Sequence, residues 1–136
     1  MENLDLYQIL DASEIELYDF SMPENKSASA MAIDGHCYVA LDTLAIETSA
    51  EERVHLAHEL GHCMSGSFYN IYAPGDVREK HECRANKWGI KKLLPKDELD
   101  AAIKDNALRN EWEVAEYFNV TVDFVLKALE YYGSAS

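Results

Sequence analysis

The sequence has 136 residues, of which 48% are hydrophobic and 27% are charged, as expected for one water-soluble globular domain. Its formal net charge of −13, from 25 acidic against 12 basic residues, disfavours direct contact with nucleic acid or anionic lipid, whose phosphates it would repel. No apolar run approaches the roughly 20 residues that cross a bilayer, and the acidic N-terminal segment lacks signal-peptide features, so we predict a cytoplasmic protein without a membrane partner.

The first third of the chain predicts a small antiparallel sheet. After a short helical stretch at residues 3–10, residues 15–20 alternate apolar and polar side chains, which is the period of a half-buried strand. Two further strand-like runs, residues 29–33 and 36–41, flank Asp34-Gly35. Asp-Gly is a strong hairpin signal because both positions of the tight turn favour a positive φ.

From Ser49 onward the pattern becomes helical. Ser49 and Glu52 fit a capping box, apolar residues then recur at helical spacing, and Gly66 is the expected stop. A second long helix is predicted over residues 77–94, ended by Pro95, followed by a short helix over residues 97–104. The tail, residues 111–131, predicts two helices around Asn119.

These elements predict an α+β fold in a single domain, residues 1–136. Residues 1–47 are rich in strand, residues 48–95 contain two long helices, and residues 96–136 form a helical tail. The tail has the outline of a helix-turn-helix, but its second helix offers only Lys127 against Asp123 and Glu130. We therefore expect a helical hairpin that packs on the core and does not bind DNA.

The strongest chemical signal is His58-Glu59-Leu60-Gly61-His62 on the first long helix. Residues four apart on a helix project side by side, so His58 and His62 can hold one Zn²⁺, while Glu59 lies where it can take a proton from water. A glycine at mid-helix costs about 0.5–1 kcal/mol relative to alanine, so Gly61 indicates the close approach of another backbone. The pattern is that of HExxH metallopeptidases, although two ordinary surface histidines would give the same motif.

A catalytic zinc site needs a third protein ligand and one open position. The downstream candidates are Asp76, Glu79, His81, Glu82 and Cys83. We favour Glu82, because Ala85 and Gly89 share its face of the second helix and small residues let two helices approach closely. Glu79 and His81 are the alternatives.

Two motifs taken together resemble the ImmA/IrrE metallopeptidases. They are Leu56-Ala57-His58-Glu59-Leu60-Gly61-His62, and then Glu82-Cys83-Arg84-Ala85-Asn86-Lys87-Trp88-Gly89 with Leu93-Leu94-Pro95. The resemblance covers about residues 15–95 and implies a zincin-type fold with zinc held by His58, His62 and Glu82 and with Glu59 as general base. Gly89 and Arg84 depart from the family pattern, where alanine and often an acidic residue stand.

The donor that would stabilise a tetrahedral oxyanion is left open. Tyr69, Tyr72 and His81 lie in the right region of the sequence, and nothing in the pattern singles out one of them. His55 shares a helix face with the motif histidines, but it lies about 10.5 Å along the axis from His62. We expect it beside the site or on the surface.

The three cysteines, Cys37, Cys63 and Cys83, are odd in number and widely spaced. A secreted disulfide framework would show an even and denser set, and a structural zinc site would show paired CxxC spacing. We therefore expect reduced, inert thiols, which agrees with a cytoplasmic address.

Three functions are weighed on these observations. The first is a zinc-dependent endopeptidase that cleaves a protein partner, which the family resemblance implies to be a prophage or mobile-element transcriptional repressor. The alternative is a non-catalytic zinc-binding module that regulates by protein contact, a reading motivated by the small size, the acidity and the tail hairpin. A nucleic-acid-binding regulator is the weakest reading, because of the charge.

Overall fold

The computed structural model describes residues 3–70 and 72–135, so Met1, Glu2, Ile71 and Ser136 lie outside the description. In the described part, three strands and six helices follow one another along the chain. They are α1 (Leu4–Ala12), β1 (Glu16–Asp19), β2 (Ser27–Met31), β3 (Cys37–Leu41), α2 (Ser49–Ser65), α3 (Gly75–Leu93), α4 (Lys96–Asp105), α5 (Glu111–Phe118) and α6 (Val122–Ala135). The predicted α+β class is confirmed.

The three strands form one mixed sheet in the order β1-β3-β2. β2 runs antiparallel to β3, from the pair Ser27–Leu41 to the pair Met31–Cys37, as the hairpin signal predicts. β1 instead runs parallel to β3, so the prediction of a purely antiparallel sheet is wrong. The alternation of apolar and polar residues reports the period of a strand and carries no information on its partner or direction.

The hairpin connection is longer than the two-residue turn that the sequence predicts. Residues 32–36 link the strands, Gly35 has a φ of 87°, and Asp34 is not in the left-handed region. The Asp34 carboxylate accepts a hydrogen bond from the backbone N–H of His36 over 2.9 Å, which fixes the turn locally.

The N-cap of helix α2 is Thr48, one residue before the predicted cap Ser49, which is instead the first residue of the helix. The Thr48 hydroxyl oxygen accepts from the backbone N–H of Glu51 at 3.0 Å, which satisfies a donor that the first helical turn leaves unpaired. The helix ends at Gly66, in the left-handed region with a φ of 67°, as predicted. The tail hairpin turns at Asn119, which has a φ of 55°.

The core lies between the sheet, the two long helices and the tail. Central strand β3 contributes Val39 and Leu41, and α2 packs Leu56 and Leu60 against them. Helix α3 and the tail hairpin close the other side of α2, with buried residues Ile90, Leu93, Val114, Phe124 and Val125. No helix in the described residues is long and apolar enough to cross a membrane.

Helices α2 and α3 touch backbone to backbone at Gly61. A Cβ atom added to Gly61 would lie 2.4 Å from the Ala85 carbonyl oxygen, closer than real Cβ atoms approach any neighbour. At Gly89 the same test gives 3.7 Å to the Ala57 carbonyl oxygen, an ordinary contact. Only the first glycine is therefore required by the close approach of the helices, which brings the side chains of α3 over those of α2.

A disulfide bond joins Cys37, at the start of β3, to Cys63 on α2, with a Cα–Cα distance of 6.1 Å. The expectation that these two thiols are reduced is wrong for this structure. Cys63 does point away from the neighbouring His62 site, as its helical position predicts, and it thereby meets the central strand, from which 26 residues separate it in sequence. Cys83 is a free and exposed thiol.

Candidate metal centre

Helix α2 places His58 and His62 side by side, with ring centroids 4.8 Å apart. The Nε2 atoms of both rings point at one oxygen of Glu82 on α3, at 2.8 Å from His58 and 3.2 Å from His62. Among the described residues these three form the one group of candidate metal ligands, with their ligand atoms within 4.8 Å of one another. The contact of Gly61 with Ala85, one helical turn from Glu82, holds the two helices at the separation that allows this convergence.

Each imidazole is also held by a hydrogen bond at its Nδ1 atom. His58 Nδ1 lies 2.8 Å from the side-chain oxygen of Asn86, and His62 Nδ1 is hydrogen-bonded to the backbone carbonyl oxygen of Ser67. Because both partners are acceptors, each Nδ1 can carry the ring proton, which would leave the Nε2 lone pair of a neutral ring for a cation. Such outer contacts fix the orientation of histidine ligands in metal sites.

The backbone of Ser67 is hydrogen-bonded both to the backbone and to the side chain of His62. The Ser67 N–H donates to the His62 carbonyl oxygen at 3.1 Å, while its own carbonyl accepts from the ring. Ser67 is fully buried and follows directly on Gly66, whose left-handed conformation turns the chain back onto the helix. The end of α2 thus orients one of the two imidazoles.

Tyr69 completes the surroundings of Glu82. Its hydroxyl donates to the second carboxylate oxygen at 2.6 Å. Burial alone would raise the pKa of Glu82, but the Tyr69 hydrogen bond and the two imidazoles outweigh burial and lower this pKa below its ordinary value. The same hydrogen bond raises the pKa of Tyr69 to about 12, so the phenol stays protonated and remains a donor.

The three oxyanion candidates from the sequence occupy different places. Tyr69 lines the cleft at the site, whereas the side chain of Tyr72 is 87% exposed and is not part of it. His81 packs near the Tyr69 ring, and its Nδ1 is buried without a hydrogen-bond partner. Of the three, Tyr69 is the side chain beside the candidate ligands.

Glu59 is 5% exposed and lies between α2 and the edge strand β2. Ser27 donates to one of its carboxylate oxygens and Ser29 to the other, each at 2.7 Å. His55 lies behind Ser27, with its Nδ1 atom 2.8 Å from the serine oxygen. Burial lowers the pKa of His55, so its ring is neutral near pH 7.

Sequence reasoning missed both serines. The signal was present: Ser27 and Ser29 are two apart on a strand, so both side chains lie on the sheet face that packs against α2. Polar residues repeated on such an inner face need hydrogen-bond partners. Asp76, Glu79, His81 and Cys83, the other candidates for a third ligand, do not belong to the ligand group.

The donor set fits a zinc ion. Two imidazole nitrogens and one carboxylate oxygen are the ligands of many catalytic zinc sites, which keep a fourth position open. The site opens into a cleft of about 870 Å³ that extends from β2 to α6. Val54, Phe124 and Lys127 are also among the residues that line this cleft.

Comparison with known proteins gives an independent result. A family model described as the IrrE N-terminal-like domain of the M78 peptidases matches residues 25–130, most of the chain. No curated protein and no solved structure gave a significant match. The matched range includes both motif helices and β2. This chain therefore belongs to the M78 family of metallopeptidases, the ImmA/IrrE family.

Proposed function

We propose that this protein is a zinc-dependent endopeptidase that hydrolyses a peptide bond in a protein partner. The observation that carries the proposal is the convergence of His58 Nε2 and His62 Nε2 on one oxygen of Glu82, with the outer nitrogen of each ring fixed by an acceptor. Membership of a peptidase family gives the class of substrate. In this proposal these three residues are the metal ligands.

A zinc ion held there would supply Lewis acidity for the peptide carbonyl and would lower the pKa of a coordinated water toward about 7. Glu59 would act as general base and take the proton of the attacking water. The same carboxyl group would return that proton to the leaving amine. Tyr69, a phenol that stays protonated, would be available as a hydrogen-bond donor beside the ligands.

The cleft also offers a way to hold an extended peptide. β2 is an edge strand of the sheet and borders the cleft, so a substrate segment could pair with its backbone. Such pairing binds the main chain and leaves specificity to pockets for the side chains. The second boundary of the cleft comes from α6, so the tail hairpin would contribute to substrate choice.

For the partner we propose a transcriptional repressor of a prophage or mobile element, as the ImmA/IrrE resemblance implies. The direct test mixes the zinc-loaded enzyme with the product of the neighbouring gene and identifies fragments by mass spectrometry. Glu59→Gln should bind zinc as the wild type does but cleave about 10²–10⁴-fold more slowly. Equal cleavage by both proteins would reject the proposed role of Glu59.

The alternative function is regulation by contact, through a zinc-binding module that does not cleave. It predicts that Glu59→Gln keeps full biological activity and that the partner stays intact. Metal analysis adds a separate check, because His58→Ala should lose the zinc that the wild type retains. Retention of stoichiometric zinc by His58→Ala would mean that the three residues are not the metal site.

The cytoplasm is the compartment we propose, because a repressor substrate is found with DNA. Disulfides are rare in that compartment, so the state of the Cys37–Cys63 bond inside the cell tests the proposed location. Alkylation of the protein in freshly quenched cells, followed by mass spectrometry, measures this. Complete protection of both cysteines from alkylation would place the protein in an oxidising compartment instead.

A further inference from the structure

Two serine hydroxyls are hydrogen-bonded to Glu59, the side chain proposed to move protons. Its two carboxylate oxygens accept from two serine hydroxyls on adjacent inward positions of one strand, each at 2.7 Å. Ser27 is buried and Ser29 is half-buried, and Glu59 itself is nearly enclosed. The carboxylate is therefore held in one orientation by β2, an element that contributes none of the proposed metal ligands.

The geometry leaves Glu59 able to accept another proton donor. An ionised carboxylate has about four lone-pair positions on its two oxygens, and the serines occupy one on each. One position on each oxygen remains for water. A carboxylate held by two hydrogen bonds has lost its rotational freedom before the substrate binds. The entropy cost of orienting the base is therefore not added to the reaction barrier.

The hydrogen bond from Ser27 to Glu59 decides the direction of the hydrogen bond between His55 and Ser27. Ser27 has a single hydroxyl proton and gives it to Glu59, so its oxygen must accept from the Nδ1–H of His55. The chain of donors then runs from His55 through Ser27 to Glu59. This assignment gives a role to His55, which shares the helix face of the proposed ligands but lies too far along the helix to join them.

We propose that Ser27 and Ser29 are positioning residues that hold the Glu59 carboxylate for its role as general base, with His55 orienting Ser27. The inference rests on the proposed peptidase function. It gives β2 two roles in the site, because the strand that borders the cleft also holds the general base Glu59. Any displacement of β2 would then move the base relative to the ligands.

The first test needs neither metal nor substrate. In the metal-free protein, urea unfolding is compared for the wild type, Ser29→Ala, Glu59→Ala and the double variant. Because a hydrogen bond to a charged group is strong, Ser29→Ala should lower the folding equilibrium constant about tenfold when Glu59 is present. The loss should be under about threefold in the Glu59→Ala background, and equal losses in both backgrounds would overturn the pairing.

The second test measures turnover by the zinc-loaded enzyme with the product of the neighbouring gene as substrate. Ser29→Ala should reduce kcat about tenfold or more while KM changes by less than about threefold, with zinc content and folded fraction unchanged. Ser29→Thr keeps a hydroxyl on a β-branched side chain that suits a strand, and it should restore kcat to within about threefold. Ser13→Ala, the same chemical change at an exposed position outside the cleft, is the control.

These measurements separate the two claims. If the wild type cleaves, Glu59→Gln does not, and Ser29→Ala keeps the wild-type kcat, then the positioning role is wrong and the peptidase proposal stands. If Glu59→Gln cleaves as fast as the wild type, the peptidase mechanism itself fails. The unfolding experiment tests the contact between Ser29 and Glu59 in either case.

Discussion

The replacement of Gly61 by alanine tests the packing on which the site depends. The added Cβ would lie 2.4 Å from the Ala85 carbonyl oxygen, which is at least 0.6 Å short of the 3.0 Å that real Cβ atoms keep. Both partners are backbone, so no side chain can rotate away. Helices α2 and α3 must therefore move apart by about 0.6 Å or tilt relative to one another.

Two energies oppose each other in Gly61→Ala. Alanine gains about 1 kcal/mol over glycine in helix propensity, whereas overpacking a close contact costs about 1–3 kcal/mol or more. With a rigid backbone contact we expect the upper part of that range, and a net loss of stability of about 1–2 kcal/mol. The effect on metal binding should be larger, because ligand distances tolerate only about ±0.2 Å and Glu82 moves with α3.

The assay compares Gly61→Ala with Gly89→Ala, a matched control on the facing helix. At Gly89 the new Cβ makes an ordinary contact at 3.7 Å, so this variant should be as stable as the wild type or up to about 1 kcal/mol more stable. Urea unfolding gives the stabilities, and competition with a zinc chelator gives the affinities, which should fall at least about tenfold for Gly61→Ala. Equal zinc affinity and equal stability for the two variants would refute the reasoning.

Three further predictions concern the surroundings of the site and the stability of the fold. Tyr69→Phe removes the donor to Glu82 and should weaken zinc binding about 10- to 100-fold in the chelator assay, whereas Tyr72→Phe should leave it unchanged. Reduction of the disulfide between β3 and α2 frees a loop of 26 residues and should lower the free energy of unfolding by about 3.5 kcal/mol. Urea unfolding with and without dithiothreitol measures this loss, which must also appear in a Cys83→Ser background. Burial lowers the pKa of His55 in the folded protein, so the unfolded chain binds a proton first as the pH falls below about 6.5. The metal-free protein should therefore lose stability over this range, and His55→Gln should lose less; identical pH profiles would contradict the assignment.

The parts of the structure that sequence predicts best are those with local causes. The spacing of His58 and His62 needs only the helical repeat, and Gly66 ends the helix through its own backbone freedom. The prediction of Glu82 needed one further inference, namely that small residues on α3 let this helix approach α2 closely. Gly61 and Ala85 supply that contact, and Glu82 lies where they allow it to reach the histidines.

The parts that sequence did not predict depend on contacts between distant segments. The direction of β1 is decided by its pairing with β3, which alternation within β1 cannot report. The bond between Cys37 and Cys63 requires the sheet to be laid on α2, and an odd cysteine count gave no sign of it. The hydrogen bonds of Ser27 and Ser29 to Glu59 arise from the same packing of strand on helix.

The way α2 ends has a consequence for how this site could vary. Ser67 reaches His62 because the chain reverses at Gly66 immediately after the last helical turn. Insertion of even one residue at this point would carry the Ser67 carbonyl away from the imidazole and let the ring swing. Length changes in the following loop should therefore be confined to positions beyond Ser67. A sequence that has lost this glycine would need another acceptor to hold the same imidazole.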